Sequence, residues 1–511
     1  MPPLIGKSIR LSVILFLTTT ISWGRNSAII VDGDLQTTPN TEYIIQSTID
    51  LGGRIITAPE GCTLVFKRNG KIVNGTIVGN QTKMKSLNKR CLGVKLKGSW
   101  ILSKIDDKYF DFGFLSDNQV LDNISVLQSD SIKNRIVLNK PTYNITLTKE
   151  HRIALLLASN TVLQCNSTIE VQGNDLPIYT VIEITRKKGV DVKGGRIIGD
   201  VGSHRYIEGS TSEWGYGLYV FNSSNVRIEG IHASRCIGDG IFIGGGNVPD
   251  LEDYSKASKN IYVKNAICDD NRRQGISITC ADGVVLENSR FSNTGKSEFT
   301  SPGCGLDIEP NAGQSIRNVK IKNCRFLHNE RIMDISVGGY KTEGSKCNVE
   351  NIVFDNCKIT GTVSIRTGSL MMKRSTMKAL EIHLAKMPKD KVLIEQCVIQ
   401  GGNGVKIRTV DDVSDEVFMP IYTFRSCTIG MDEVKTKSLF STVNHRGNER
   451  ARFVMDACSL SIPGGDSNVT IVPSKSKMPF SFSNCKIQSY GRFIESDDSV
   501  FSHCRIIEGR Q

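Results

Sequence analysis

Histidine, tryptophan and proline are scarce in this chain, at 7, 3 and 14 among 511 residues. The 15 cysteines never form Cys-x-x-Cys. With so few histidines and no such pair, a zinc site is disfavoured. Lysines and arginines are scattered and make no long basic run. The net charge of +12 therefore describes a solvated, mildly basic surface rather than a nucleic-acid binder. Beyond the N-terminus no stretch is apolar enough to span a membrane. The Leu-x-x-Leu-x-Leu signature is missing, which disfavours leucine-rich repeats.

What is present begins with a leader. Lys7 and Arg10 precede an apolar run, Leu11 to Leu17, that continues through Ile21. This is the pattern of a secretory signal over residues 1–24, with cleavage near Ser22 to Arg25. It predicts a secreted or periplasmic protein. No cysteine lies at the junction, which argues against a lipid anchor. Losing Lys7 and Arg10 lowers the charge to +10.

Residues 25–110 read as a β-rich module, with short strands such as Thr63-Leu64-Val65-Phe66 set between Gly/Asn turns. Over 118–131, Val120, Leu121, Ile124 and Leu127 recur at helical spacing. An extended run, Arg135 to Ile145, follows.

From about residue 160 the chain repeats. One unit is apolar-x-apolar-x-x-Cys-x-apolar, as in Val319–Phe326, Ile352–Ile359, Val392–Ile399, Tyr422–Ile429, Phe453–Leu460 and Phe480–Ile487. Its cysteines, from Cys324 to Cys504, lie 33, 40, 30, 31, 27 and 19 residues apart. Ile231, Ala266 and Ser289 take the same place in weaker copies. A second unit, Gly-apolar-x-apolar, appears at Gly217, Gly240, Gly275, Gly305 and Gly404. Short Val/Ile strands in copies this regular predict an all-β fold, a right-handed parallel β-helix over 115–511. One cysteine per coil at one inward position predicts a ladder of reduced thiols acting as small apolar side chains.

The residue between the two inward apolar positions faces outward. That column reads Tyr219, Phe242, Ser277, Asp307, Ser336, Ser364 and Lys406. Two residues on it reads Phe221, Gly244, Thr279, Glu309, Gly338, Arg366 and Arg408. Aromatics, then acids, then bases follow one another along one face. Aromatic faces stack on sugars, carboxylates carry protons, and Arg or Lys holds anionic groups. Only the copy Gly305-Leu306-Asp307-Ile308-Glu309 carries two acids, about 6.5–7 Å apart if both point outward on a strand. Asp307, Glu309 and Asp334 of the next coil are thus the candidate catalytic carboxylates. Ca²⁺ is the rival occupant of such a cluster, and simple turn formation the bland alternative. Phe242, Arg366, Lys406 and Arg408 are candidate substrate contacts. So are His204, Glu213, Trp214 and Asp239, in and around a polar loop that interrupts the repeat.

The repeats, the helix followed by Arg135–Ile145 with its Pro-x-Tyr turn, and the leader together resemble the pectate-lyase-like superfamily of secreted β-helix proteins. The resemblance implies that the 118–131 helix caps the open end of the β-helix. It implies a polysaccharide partner, which the bases suggest is anionic; no cofactor is assigned from the sequence beyond Ca²⁺ as the candidate ion. The superfamily holds hydrolases, lyases, epimerases and non-catalytic adhesins. The polygalacturonase blocks are missing here, since no Gly-His-Gly exists. The leading expectation is a glycoside hydrolase. The alternatives are a lyase acting on uronic acid polymers and a non-enzymatic glycan-binding β-helix.

Overall fold

The computed structural model describes residues 27–29, 38–247, 255–329, 333–338, 347–366, 368–384, 391–401, 404–409, 421–431, 438–443, 451–462, 469–472, 479–489, 493–494 and 499–508. The leader expected over 1–24 lies outside the described residues.

The chain divides into two compact units. The first comprises Met1–Leu102 and Lys108–Leu127, the second Ser103–Asp107 and Gln128–Gln511. The first unit holds a 7-stranded sheet, parallel at every pairing. It also holds the one α-helix found among the described residues, α1 (Asp117–Leu127). Ser116 and Gln119 close its N-terminus reciprocally. The Gln119 amide donates to Ser116 Oγ at 3.3 Å, and the Ser116 amide to Gln119 Oε1 at 3.0 Å. Val120, Leu121, Ile124 and Leu127 are buried as their spacing predicts. The helix stops before 131 because Asn134 takes both the amide (3.1 Å) and the carbonyl (2.9 Å) of Ser129. Expected as part of the β-helix domain, α1 groups instead with the first unit. Its buried Asn123 accepts from the Leu96 amide (2.7 Å) and donates to the Val94 carbonyl (2.8 Å) there.

The second unit is a right-handed parallel β-helix. Its coils contribute to a 27-stranded sheet and an 11-stranded sheet, parallel throughout. The 11-stranded sheet is the face that carries the acids. Its strands are β1 (Ile153–Leu156), β2 (Ile178–Thr185), β3 (Trp214–Phe221), β4 (Asp239–Gly244), β5 (Gln274–Ile278) and β6 (Cys304–Ile308). They continue as β7 (Ile335–Val337), β8 (Thr362–Ile365), β9 (Ala379–Leu384), β10 (Val405–Thr409) and β11 (Phe440–Val443). The inward pairs from Leu218/Val220 to Val405/Ile407 are at most 2% exposed. Each such side chain contributes about 1.5–3 kcal/mol by leaving water.

Two devices hold the coils in register. Asparagines with φ near +55° turn the chain between strands, a conformation their short amide tolerates. They also stack: Asn356 donates to Asn323 (2.8 Å) and Asn323 to Asn288 (3.1 Å). The glycines opening β4, β5 and β6 have no room for a side chain. A Cβ on Gly240 would sit 2.8 Å from the Gly275 carbonyl, and one on Gly275 2.6 Å from the Gly305 carbonyl.

Candidate active site

Register places the outward column as expected from β3 to β8: Tyr219, Phe242, Ser277, Asp307, Ser336, Ser364. One coil was missed between Ser364 and Lys406. Strand β9 intervenes, adding Glu381 to this column and His383 to the next. It escaped because no glycine opens it. The cysteine place in its coil is taken by Ser375, whose hydroxyl accepts from the Cys357 amide at 3.0 Å.

Asp307 was expected to be an exposed carboxylate. It is 1% exposed. Its Oδ2 accepts from Gln274 Nε2, and its Oδ1 has no hydrogen-bond partner. Burial first, and then the nearby charge of Glu309, raise its pKa to about 8 against the pull of Arg273. Glu309 follows β6, with a third of its side chain exposed. Arg366 Nη1 lies 3.8 Å from it. The residue between them in that column is Gly338, which has no side chain to intervene.

A second carboxylate, Asp239, lies wholly buried across β5. Arg273 Nη1 donates to both of its oxygens at 3.3 Å, and Ser277 Oγ donates to Oδ2. Burial nevertheless raises its pKa, with Arg273 and Ser277 pulling the other way. Arg273 Nη1 also donates to Gln274 Oε1 (3.2 Å), and its Nε lies 4.0 Å from Glu213. Glu213, Arg273, Asp239, Gln274 and Asp307 thus form one connected polar cluster. Arg273 and Gln274 were not anticipated. The signal was available: the residue before each repeat glycine (Asp239, Gln274, Cys304) is itself a register column.

The other expected site residues fall elsewhere. Asp334 accepts from the amides of Asn329 (3.0 Å) and Gly361 (2.6 Å), so its carboxylate braces backbone rather than joining Asp307. His204 is not a surface contact. Its ring is buried, with Nδ1 2.9 Å from Asp200. Asp200 in turn accepts from Tyr179 (2.6 Å) and Asn174 (2.9 Å). That network pins the base of the 199–213 loop, and Arg272 clamps its end through the carbonyls of Thr211 (3.0 Å) and Ser212 (2.9 Å). Trp214 opens β3 instead of lying on the loop, and is 44% exposed. Phe242 stacks on Tyr219 at 4.8 Å and 10°, and Tyr219 on Phe221 at 5.8 Å and 9°. These rings cover each other's faces, so the platform expected for sugars is largely spent on itself. Lys406 and Arg408 converge on Glu381, with Nζ 3.8 Å from Oε2 and Nε 2.6 Å from Oε1. Among the described residues no three His, Cys, Asp or Glu approach as metal ligands, and no helix is long and apolar enough to cross a membrane.

A parallel coil with a polar cluster on one flat face defines a class. Residues 122–313 and 254–415 match the family described as "Right handed beta helix region". Together these cover more than half of the chain, which belongs to that family. A curated relative, the uncharacterized protein YclG of Bacillus subtilis (strain 168), is 30% identical over 170 residues, 32% of this chain and 29% of that protein. The chain matches less than a third of the length of such curated relatives. Among solved structures, the A-module of mannuronan C-5 epimerase AlgE6 from Azotobacter vinelandii is similar over 80% of this chain and 100% of its own, at 11% identity and TM-score 0.48. The catalytic domain of the D1045A variant of a GH87 α-1,3-glucanase in complex with nigerose is similar over 73% of this chain and 66% of its own, at 11% identity and TM-score 0.46.

Proposed function

We propose that this protein is an exported polysaccharide-cleaving enzyme, a glycoside hydrolase whose acid is Asp307 and whose base is Glu309. The observation that carries this is a buried carboxyl that keeps its proton to about pH 8, two residues from a half-buried carboxylate. A general acid must be protonated at working pH, which burial provides for Asp307, and Glu309 reaches solvent beside it, where a base can meet a water. Oδ2 of Asp307 is engaged by Gln274, so the proton belongs on Oδ1, whose hydrogen-bonding capacity is unspent. Oδ1 would protonate the departing glycosidic oxygen while Glu309 takes a proton from the attacking water. Arg273, held by Asp239 and Glu213, orients Gln274 and through it Asp307; it is a positioning residue. Asp307 is closed over in the free protein. Substrate entry must displace a neighbour, and Arg366, with its long stem beside Glu309, is suited to move.

A lyase is the second reading. Arg273 and Arg366 flank the two carboxyls, and β-elimination needs a cation on the substrate carboxylate beside a base. Incubation with pectic, alginate, glycosaminoglycan and neutral glucan polymers separates the two. New reducing ends without ultraviolet absorbance support hydrolysis, and an unsaturated, absorbing product supports elimination. Asp307→Asn and Glu309→Gln should each slow cleavage by about 10²–10⁴-fold while the protein still melts cooperatively. Undiminished cleavage by both variants would remove these residues from the chemistry.

A further inference from the structure

We infer that the outward face of β8, β9 and β10 is a binding subsite for an anionic group, a carboxylate or sulfate, carried by a glycan several residues from the scissile bond. This rests on the polysaccharide-active reading above and names its substrate class. The two outward columns there carry Ser364, Arg366, Glu381, His383, Lys406 and Arg408. Arg366 lies beside Glu309, which leaves two permanent cations and one histidine to face a single carboxylate. Glu381 cannot balance them. Arg408 Nε (2.6 Å), His383 Nε2 (2.8 Å) and Lys406 Nζ (3.8 Å) all converge on it. His383 and Arg408 together hold its pKa down at about 2, so it stays ionised and fixes the directions of the cations around it. Arg408 and Lys406 remain 39% and 29% exposed, with donors left over. Arg presents five N–H groups and Lys three, and one carboxylate cannot take them all.

A second observation points the same way. In the central column Ser364 precedes Glu381 in register and Ser441 follows Lys406. Neither hydroxyl has a hydrogen-bond partner, and Ser364 is 1% exposed. Donors unspent on both sides of a positive cluster suit an oxyanion. The position selects a polymer. Strand β9 is three strands from β6, and β10 four, so the cluster lies about 14–19 Å along the face from Asp307 at about 4.8 Å per strand. A single charged sugar at the cleavage point would not reach it, whereas a chain lying along the face would.

The test uses affinity electrophoresis of the full-length protein in gels containing polygalacturonate, alginate or chondroitin sulfate. Control gels contain carboxyl-reduced polygalacturonate, carboxyl-reduced alginate and desulfated chondroitin. Retardation by at least one polyanion is expected, lost on its reduced or desulfated partner and lost at least tenfold in Lys406→Gln/Arg408→Gln. The pair of gels that differs tells carboxylate from sulfate. Asp307→Asn should be retarded like wild type. Retardation that survives the double substitution, equal retardation by the neutral partners, or none by any polyanion overturns the subsite. Asp307-dependent cleavage of a neutral polymer would overturn it while leaving the hydrolase standing. Retention through Lys406 and Arg408 with no cleavage by wild type would do the reverse.

Discussion

Asp307 owes its proton affinity to where β6 puts it. Its ordinary pKa of 3.8 rises to about 8 because the carboxyl is out of water beside Glu309. The unfolded chain releases that proton near 3.8, while the folded protein holds it to about 8. Between these values the native state binds the extra proton, so stability falls as pH rises across the window. Its contribution is complete below the lower value and gone above the upper one. Wild-type melting temperature should therefore drop more steeply than that of Asp307→Asn between about pH 5 and about pH 9, while kcat/KM falls above about pH 8. Parallel melting curves for the two proteins would show that Asp307 titrates normally. From the sequence, the pairing of Asp307 with Glu309 was legible through the period of two. Burial was not, because it depends on Gln274 and Arg273, which sit outside the two columns that alternation defines.

At the scale of the strand, the repeat glycines do more than punctuate. The inward Val/Ile pairs announced the coils, and Asn turns with Gly starts marked most of their boundaries. The coil holding β9 was hidden because Ser375 replaces the marker cysteine and Ala379 the opening glycine. A Cβ on Gly275 would approach the Gly305 carbonyl to 2.6 Å and Phe291 Cβ to 3.2 Å. Backbone one coil away cannot yield without shifting β6, and β6 carries Asp307. Gly275→Ala should cost about 1–3 kcal/mol through overpacking and depress cleavage as well. Gly246→Ala, whose Cβ would meet only ordinary contacts at 3.7 Å or more, is the control and should melt within about 0.5 kcal/mol of wild type. Urea unfolding of both variants decides. Equal midpoints would mean the coils have more play than their spacing implies. Leu306→Ala, by contrast, opens a cavity under the site and should cost about 2–5 kcal/mol.

From Cys324 to Cys504, seven cysteines form one column that runs from coil to coil, interrupted by Ser375. All 15 in the chain are free, and every one except Cys504 is buried. The thiols do more than fill space. Cys397, Cys427, Cys458, Cys485 and Cys504 each donate to a carbonyl of the coil before: Met372 (3.5 Å), Ile394 (3.2 Å), Phe424 (3.4 Å), Met455 (3.6 Å) and Phe482 (3.5 Å). Ser375 fills the same place differently: its hydroxyl donates to the Lys373 carbonyl of its own coil (2.7 Å) and accepts from the Cys357 amide of the coil before (3.0 Å). Export to an oxidising compartment would ordinarily favour pairing. Here parallel, in-register strands keep neighbouring side chains about 4.8 Å apart, beyond the 3.5–4.5 Å that a disulfide needs between Cβ atoms. Burial also pushes the thiols of Cys357 and Cys397 up to about 11 and that of Cys324 to about 12, so thiolate, the reactive form, is scarce at these three. At Cys427 the hydrogen bond with Cys458 lowers the pKa, and burial alone shields the sulfur. Native protein should therefore consume about one equivalent of a thiol reagent, at Cys504, and about fifteen after denaturation. Its mobility on a denaturing gel should not change with reductant. Rapid labelling of many thiols in the native state, or a reductant-dependent shift, would show that the coils do not hold the column closed.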